Sequence, residues 1–291
     1  MSEKIPIAII GTGNIGTDLL KKISRSNLMY CAIFIGRNLN SRGIKTAISM
    51  GINVSDQGIK FIEDNPDFCR IIFDATSSEA HKAHSKIFKK FKIRAIDLTP
   101  ARVGDMCVPS VNLTNFKEKM NANMVTCGGQ ASIPIAYAIG QCFTNPDYIE
   151  VVSTISSKSA GIATRQNLDE YIHTTEESIK FFSKCLNAKA ILNLNPSNPP
   201  IDMQTTIFAK VKNLKVDKLK AMLAKVLERI SKYVPGYELL LGPVIEDGKI
   251  IVMIRVRGLG DYLPQYAGNL DIINCAALEV GNYWAKEIMN E

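Results

Sequence analysis

The sequence predicts an α/β fold in which a doubly wound parallel sheet is followed by a second, α+β domain with a largely antiparallel sheet. Over the first hundred residues, short apolar runs alternate with amphipathic stretches. A glycine-rich turn joins the first apolar run to the first amphipathic stretch. Beyond residue 130, longer strand-like runs replace this alternation. Regular alternation of strands and helices is typical of parallel sheets with helices on both faces.

The predicted first domain covers residues 1–130. Residues 14–26 form a predicted helix with Leu19, Leu20 and Ile23 on one side, directly after a glycine-rich turn. The other elements of this domain are predicted strands at 5–10, 29–36, 70–76 and 93–99, and predicted helices at 40–50, 56–64 and 78–91.

The predicted second domain covers residues 131–267. Its expected elements are strands at 148–157, 189–196 and 202–211 and helices at 168–186 and 214–233. Residues 237–258 read as a hairpin that turns at Asp247-Gly248, because this dipeptide suits a tight turn between strands. A last helix is predicted at 269–289, and we expect residues 268–291 to return to the first domain.

Composition excludes several classes of protein. The net charge of +7 comes from basic residues spread along 291 residues, which is typical of solvated helix faces and not of a nucleic-acid-binding stripe. No apolar run approaches the ~18 residues of a membrane span, and the first residues lack a signal-peptide pattern. The seven cysteines are scattered without a CxxC pair, which favours reduced thiols. We therefore expect a cytoplasmic protein that binds neither membrane nor nucleic acid.

The stretch "IAIIGTGNIGTDLL" places Gly11, Gly13 and Gly16 in the G-x-G-x-x-G spacing of a Rossmann dinucleotide site. The first glycine allows a tight turn, the second lets backbone amides approach a pyrophosphate, and the third permits close packing of helix on strand. The following helix N-terminus favours an anion. Because the motif follows a strand and opens a helix, we expect dinucleotide binding.

The second strand ends in "FIGRNLNSRG", with Arg37 and Asn38 where an acidic residue normally binds the adenosine ribose. An arginine at this position can instead pair with the 2′-phosphate of NADP. It can also be a surface charge beside NAD, so the sequence leaves the choice between NAD and NADP open.

"NMVTCGGQASIPIA" places Cys127 where a helix begins. A helix N-terminus lowers the pKa of a thiol, and its amides can also hold a developing oxyanion. Gly128 and Gly129 are expected to leave room for a substrate beside the sulfur. The pattern therefore favours a nucleophilic thiol, although most cysteines are small buried core residues.

The chain resembles the CoA-acylating acetaldehyde dehydrogenase family, whose members often pair with 4-hydroxy-2-oxovalerate aldolases. The resemblance rests on "IIGTGNIGTDL", "FDATS", "IDLTPA", "CVPSVNL", "NMVTCGGQASIP", "TISSKSAGIATRQNLDE", "NPSNPP", "YVPGYELL" and "YLPQYAGNLDI", in order along almost the whole chain. It implies that Cys127 attacks a short aldehyde, acetaldehyde or propionaldehyde. Hydride then passes to NAD or NADP, and coenzyme A accepts the acyl group. A homo-oligomer and an aldolase partner are also implied.

The glycine motif, the end of the second strand and the resemblance together predict the cofactor-binding residues. These residues are Gly11, Thr12, Gly13, Asn14, Ile15, Gly16, Arg37, Asn38, Ser159, Ala160, Gly161, Ile162, Ala163, Thr164, Arg165, Gln166, Asn167 and Asn269.

The chain departs from the family at three places. The family has an acidic residue at the end of the second strand, typically in "GID", where this chain has "GRN" at 36–38. In its third predicted strand of the second domain the family has Arg-Asp-Thr, and that aspartate is a proposed general base; here Thr205 occupies its position. Asp202 lies three residues earlier, on the opposite face of a regular strand. The hairpin near 240–258 also looks shorter.

Two other readings stay open. One is a phosphorylating semialdehyde dehydrogenase, although such enzymes usually use a catalytic histidine. The other is a dinucleotide-binding relative without catalysis, which the loss of the acid at position 205 would explain. His81, His84 and His173 lie in no catalytic motif, so we expect them to be surface or local structural residues, and we expect no metal site.

Overall fold

The computed structural model describes residues 4–161, 165, 168–212 and 216–290. The chain divides into two compact units. The first contains Met1–Cys107, Asn112–Met124 and Asn274–Glu291; the second contains Val108–Val111 and Val125–Ile273. The main passage from one unit to the other lies at 124–125. Of the helices in the described part of the chain, none is long and apolar enough to cross a membrane.

The first unit contains a seven-stranded parallel sheet in the order β3-β2-β1-β4-β5-β7-β6. Its elements are β1 Ile5–Ile10, α1 Asn14–Ile23, β2 Met29–Ile35, α2 Arg42–Ser49, β3 Val54–Ser55, α3 Lys60–Asp64, β4 Ile71–Asp74, α4 Ser78–Lys90, β5 Arg94–Asp97, β6 Asp105–Met106 and β7 Asn121–Asn123. The strand β1 is buried almost throughout, as expected of a central strand covered on both faces. The doubly wound parallel sheet predicted from the sequence is confirmed.

Three short strands of this sheet, β3, β6 and β7, were not predicted. The sequence of β7 is Asn-Ala-Asn, which has little strand propensity. Its pairing with β5 holds it in place, and so does Asn123, whose amide donates to the Asp97 carboxylate over 2.8 Å and to the Thr99 carbonyl over 3.0 Å. The helix predicted at 56–64 is also shorter in the structure, where it covers only Lys60–Asp64.

The second unit contains a five-stranded sheet in the order β11-β12-β10-β8-β9. Its elements follow the short helix α5 Pro109–Asn112 and are α6 Cys127–Cys142, β8 Tyr148–Ser156, α7 Leu168–Ser183, β9 Asn187–Asn195, β10 Met203–Lys210, α8 Asp217–Ser231, β11 Tyr237–Glu246 and β12 Lys249–Val256; α9 Gly268–Met289 begins in this unit and ends in the first. Only the β8–β9 pair is parallel within this sheet, so the largely antiparallel prediction is confirmed.

The predicted hairpin joins β11 and β12. Asp247 and Gly248 both have positive φ, 47° and 71°, which is the geometry of a type I′ turn. In β10, alternate residues face the helices, so Met203, Thr205, Ile207 and Ala209 are fully buried. This register decides which side chains of β10 point toward α6.

A buried cluster of charged groups joins α4 to the ends of β4 and β5. The Asp74 carboxylate lies 2.9 Å from Nδ1 of both His81 and His84, and Nε2 of His81 lies 3.5 Å from the Asp97 carboxylate. The Asn121 amide also contacts His81 over 3.0 Å. His81 is fully buried and His84 nearly so, so that of the two expected alternatives, surface or local structural residue, the second applies to both.

The cluster shifts the pKa values of its members. Burial alone would raise the pKa of Asp74, but hydrogen bonds from the two histidines lower it to about 2. Burial raises the pKa of Asp97 to about 6, although the neighbouring His81 opposes this rise. Burial lowers the pKa of His81, but the two carboxylates outweigh this effect and raise it above 6.5. When His81 carries its second proton, its positive charge offsets the two neighbouring acids.

The raised pKa of His81 predicts that the protein loses stability as the pH rises. The folded state holds this proton more tightly than the unfolded state. Its contribution to the free energy of unfolding is therefore complete below pH 6.5 and is lost as the pH passes the folded-state pKa of His81. Between pH 6.5 and about pH 8.5, the wild-type melting temperature should fall by about 2–4 °C more than that of His81→Gln. Thermal denaturation followed by circular dichroism measures this.

His173→Gln is the matched control, because this third histidine is exposed on α7. Its melting temperature should follow the wild-type pH dependence. Equal pH slopes for wild type and His81→Gln would contradict the assignment.

Candidate active site

The glycine-rich turn lies beside a cavity of about 530 Å³ in the first unit. The cavity is lined by the turn itself, by the ends of β2 and β3, and by the first turns of α4; the lining residues are Ile10, Gly11, Thr12, Gly13, Ile35, Gly36, Arg37, Asp56, Gln57, Gly58, Ile59, Ala75, Thr76, Ser77, Ala80 and His84. It lies at the carboxyl ends of β1, β2 and β4, where doubly wound sheets bind their ligands. The predicted cofactor residues that line it are Gly11, Thr12, Gly13 and Arg37.

The three glycines of the motif have different surroundings. Gly11 has a φ of 110°, and a Cβ there would lie 2.4 Å from the Ala75 carbonyl oxygen. A Cβ at Gly16 would lie 1.9 Å from the Gly11 carbonyl oxygen. A Cβ at Gly13 would meet nothing within 4 Å. Gly11 and Gly16 are therefore required by the fold, whereas the open space at Gly13 fits the approach of a ligand.

The N-terminus of α1 also fits an anionic ligand. Its N-cap residue is Gly13, and no side chain caps the first amides of the helix. Such amides carry partial positive charge and bind phosphate groups. Asn14, Ile15 and Gly16 belong to the first turn of this helix and do not line the cavity.

Arg37 and Asn38 follow β2 but differ in position. Arg37 is exposed at the rim of the cavity, where Asp56 and Gln57 also lie. Asn38 does not line the cavity, and its side-chain oxygen accepts a hydrogen bond from the Asn40 amide over 2.8 Å. Of the two, only Arg37 is placed to meet a ligand there.

Cys127 is the first residue of α6 in the second unit. Thr126 is the N-cap, and its hydroxyl accepts the Gly129 amide over 2.9 Å and lies 2.8 Å from the Thr175 hydroxyl. The preceding Val125 has a φ of 62°, a left-handed conformation that β-branched residues rarely adopt. Strain of this kind is concentrated at functional sites. The cap and the strained turn together fix the sulfur at the helix start.

The space around Cys127 is occupied by Tyr171 of α7. The Tyr171 hydroxyl accepts the Gly128 amide over 3.0 Å and lies 3.6 Å from the Cys127 sulfur. A Cβ at Gly128 would lie 2.2 Å from this hydroxyl, and one at Gly129 would lie 2.7 Å from a Val125 methyl group. The expectation that the two glycines leave room for substrate is therefore wrong, because protein atoms fill both spaces. The Gly128 and Gly129 amides are likewise engaged and do not form an open oxyanion hole.

The expected fall in the pKa of Cys127 is also wrong. Burial raises the pKa of this thiol, and this effect outweighs the hydrogen bonds from Tyr171 and from the Gly128 amide, which lower it. The residue is nevertheless partly exposed, unlike the buried Cys31, Cys69 and Cys107. Its reactivity therefore depends on neighbours that offset the cost of burying a thiolate.

Thr205 lies on β10 and is fully buried. Its hydroxyl lies 3.0 Å from the hydroxyl of Ser153 on β8. The Ser153 hydroxyl oxygen in turn would lie 3.5 Å from a Cβ at Gly128. Asp202 precedes β10, and its carboxylate accepts a hydrogen bond from Arg257 over 3.1 Å. The structure thus places the Ser153 hydroxyl beside Gly128 and engages Asp202 in an ion pair.

The segment after β8 carries the remaining predicted cofactor residues. Ser159 and Ala160 are buried, Gly161 is exposed, and the Arg165 guanidinium donates to the carbonyls of Ser157 and Ala160. The predicted residues Ile162, Ala163, Thr164, Gln166 and Asn167 lie outside the described residues.

Asn269 lies in the first turn of α9 and is 1% exposed. Its side-chain oxygen has no hydrogen-bond partner within the described ranges. Because buried polar atoms are nearly always paired, this oxygen fits a contact with a bound ligand.

Sequence reasoning missed Tyr171, Ser153 and the histidine cluster that includes His84 at the cavity wall. Tyr171 lies on the buried side of α7, for which the sequence pattern predicts a helix but no buried face. Thr175 lies one turn away on the same side, and polar residues at helical spacing on a buried face were the available signal.

Comparison with known proteins agrees with this architecture. The family model for the dimerisation region of prokaryotic acetaldehyde dehydrogenase matches residues 127–264. The chain is 53% identical to an acetaldehyde dehydrogenase of Spirochaeta aurantia, covering 98% of this chain and 96% of that protein. It is 51% identical to an acetaldehyde dehydrogenase of Pectobacterium atrosepticum, covering 96% and 95%.

Two solved structures share the fold. Aspartate semialdehyde dehydrogenase II of Vibrio cholerae is 15% identical with a TM-score of 0.62, over 99% of both chains. The aspartate semialdehyde dehydrogenase of Candida albicans, solved with NADP, is 12% identical with a TM-score of 0.67, over 96% of this chain and 100% of that one.

The contrast between Gly13 and Gly16 predicts opposite effects of alanine. Gly13→Ala should fold normally, because its methyl group enters open space, but should weaken dinucleotide binding about ten-fold or more by occupying the approach to the helix amides. Gly16→Ala should lower the melting temperature, since its methyl group would collide with a backbone carbonyl. Calorimetric titration and thermal denaturation measure the two effects. Wild-type affinity in Gly13→Ala would exclude this turn as the binding site.

Proposed function

The chain belongs to the acetaldehyde dehydrogenase family, and we propose that it oxidises a short aldehyde, acetaldehyde or propionaldehyde, to the acyl-CoA with a nicotinamide dinucleotide. The observation that carries the proposal is Cys127: a partly exposed residue at the start of α6, fixed by the Thr126 cap, whose sulfur contacts the Tyr171 hydroxyl. The relatives at 51–53% identity support the substrate.

In this proposal the Cys127 thiolate adds to the aldehyde carbon. A carbon–sulfur bond forms and the carbonyl π pair moves to oxygen, giving a thiohemiacetal on the protein. The bound nicotinamide, in its oxidised form, supplies the hydride acceptor. When the alkoxide re-forms the carbonyl, the C–H bond breaks and its electron pair would leave as hydride to that acceptor, so that a thioester remains on Cys127. The thiolate of coenzyme A then adds to the thioester carbon, and Cys127 leaves as a thiolate.

The dinucleotide is assigned to the cavity beside the glycine turn. The uncapped amides at the start of α1 would hold its pyrophosphate, and the open side of Gly13 would allow that approach. Arg37 at the rim would pair with a 2′-phosphate, so we propose that NADP is accepted. For coenzyme A, the support is the family resemblance.

Two alternatives receive less support. Phosphorylating semialdehyde dehydrogenases usually pair the thiol with a histidine, whereas the side chain in contact with Cys127 here is a tyrosine. A relative without catalysis would explain Thr205. It would not explain why a partly exposed cysteine is held at a strained helix start.

We also propose a homo-oligomer formed through the second unit, in line with the match to a dimerisation model. The helices α6, α7 and α8 pack on the sheet. On its other face, Val152, Phe208, Ile251 and Met253 are only half-buried within one chain. An apolar sheet face of this kind favours association. The resemblance further supports a 4-hydroxy-2-oxovalerate aldolase as a partner and a cytoplasmic location.

The proposed reaction is tested by following nicotinamide reduction by absorbance. Purified protein is given acetaldehyde or propionaldehyde, with NAD or NADP and with coenzyme A or phosphate. We expect reduction that requires coenzyme A and that falls at least about a thousand-fold in Cys127→Ala, because the nucleophile is lost. Reduction that requires phosphate would favour the phosphorylating alternative. Absence of turnover with intact nucleotide binding would favour the relative without catalysis.

Arg37→Ala should weaken NADP binding about ten-fold and leave NAD binding nearly unchanged, because only NADP carries the 2′-phosphate. Calorimetric titration with both nucleotides measures this. Lys45→Ala is the control: it removes an exposed cation on α2 that does not line the cavity. Equal losses for the two nucleotides in Arg37→Ala would contradict the assignment to the 2′-phosphate.

A further inference from the structure

The side chain of Tyr171 contacts the sulfur of the proposed nucleophile, Cys127. It lies in the first turn of α7, is 8% exposed, and directs its hydroxyl to the start of α6. There the hydroxyl oxygen accepts the Gly128 amide over 3.0 Å and lies 3.6 Å from the Cys127 sulfur, within hydrogen-bond distance for sulfur. The hydroxyl therefore touches the atom that would attack the aldehyde.

We propose that Tyr171 is a catalytic residue, whose hydroxyl donates a hydrogen bond to the Cys127 thiolate and so stabilises the nucleophile. The proposal rests on the proposed function in one respect, the role of Cys127 as the attacking group. It assigns to a neutral phenol the task of stabilising the thiolate at a site where Thr205 has replaced a carboxylate.

The direction of the hydrogen bond changes with the charge of the sulfur. In the resting thiol, the Cys127 S–H donates to the Tyr171 oxygen. When the thiol releases its proton to solvent water, the sulfur becomes an acceptor, and the hydroxyl of Tyr171 can rotate to donate to it. The Gly128 amide continues to donate to the phenol oxygen in both states. This amide therefore fixes the oxygen while leaving its proton for the sulfur.

Tyr171 is suited to donate and not to act as a base. Burial, together with the neighbouring sulfur, raises the pKa of Tyr171 well above 10, so the phenol keeps its proton throughout the working pH range. The groups that act on the Cys127 thiol are the Tyr171 hydroxyl and the amides of Gly128 and of Cys127 itself. All of these are neutral hydrogen-bond donors, and each lowers the pKa that burial raises.

The packing around Gly128 supports the same conclusion independently. A Cβ at this position would lie 2.2 Å from the Tyr171 oxygen, closer than any unstrained contact. The absence of a side chain at residue 128 is therefore what lets the hydroxyl reach both the amide and the sulfur. The Thr205 hydroxyl contacts that of Ser153, over 3.0 Å.

The test is the rate at which iodoacetamide alkylates Cys127 in the intact chain, measured by peptide mass spectrometry from about pH 7 to about pH 10. Tyr171→Phe keeps the ring and removes the hydroxyl. Because a hydrogen bond to a charged group is lost, alkylation near pH 7 should slow about ten-fold and the pH profile should move about one unit higher. Reading the modification at Cys127 alone excludes the other six cysteines.

Tyr237→Phe is the matched control. Tyr237 is also buried, in the same unit, and its hydroxyl donates to the Ala131 carbonyl on α6 over 2.7 Å, one turn beyond Cys127. It should leave the alkylation profile of Cys127 unchanged. A second variant, Gly128→Ala, retains the phenol but displaces it, and should slow alkylation as Tyr171→Phe does. Its use keeps the test decisive if Tyr171→Phe does not fold.

Unchanged alkylation in both Tyr171→Phe and Gly128→Ala would overturn the proposal, as would an equal effect of Tyr237→Phe. The coenzyme A-dependent activity of the same preparations tests the proposed function separately. If the wild type has no such activity, the proposed reaction is rejected, whereas the alkylation rates still report the hydrogen bond. If wild type is active, kcat of Tyr171→Phe should fall about ten-fold with the same pH displacement.

Discussion

The backbone amides at a helix N-terminus need hydrogen-bond partners, and the two functional regions of this protein satisfy that need in opposite ways. At α1 the N-cap is a glycine without a side chain, so the first amides remain available to a ligand. At α6 the first amides are already bonded, Gly129 to the Thr126 hydroxyl and Gly128 to the Tyr171 hydroxyl. One helix start is thereby left to bind an anion, and the other is used to hold a thiol and its neighbours.

Burial dominates the electrostatics of both units. It raises the pKa of Cys127 despite the helix N-terminus, and it raises the pKa of Asp97 to about 6 despite the adjacent His81. A partial charge at a helix end is worth about 1 kcal/mol or less in typical settings, which is smaller than the cost of removing a charged group from water. Individual hydrogen bonds must therefore offset the remaining cost of burying the charge. They do so at Asp74, where two histidines together hold the pKa at about 2.

Sequence patterns predicted what depends on periodicity and on glycine spacing. The β1–turn–α1 region, the alternation of the first sheet, the hairpin at Asp247-Gly248 and the position of Cys127 at a helix start all follow from local rules. The strand β7 could not be predicted, because its Asn-Ala-Asn sequence becomes a strand only through pairing with β5 and through the bonds of Asn123. The roles of Tyr171 and His81 were equally inaccessible, since each depends on partners that are distant along the chain.

The close approach of the Tyr171 hydroxyl to Gly128 also restricts how this chain can evolve. While tyrosine occupies position 171, even the smallest side chain at position 128 collides with its oxygen, 2.2 Å from the Cβ position. Loss of the phenol oxygen would remove that obstacle, so the effects of substitutions at the two positions are not additive. A lineage that exchanges both residues avoids this collision only if position 171 changes first.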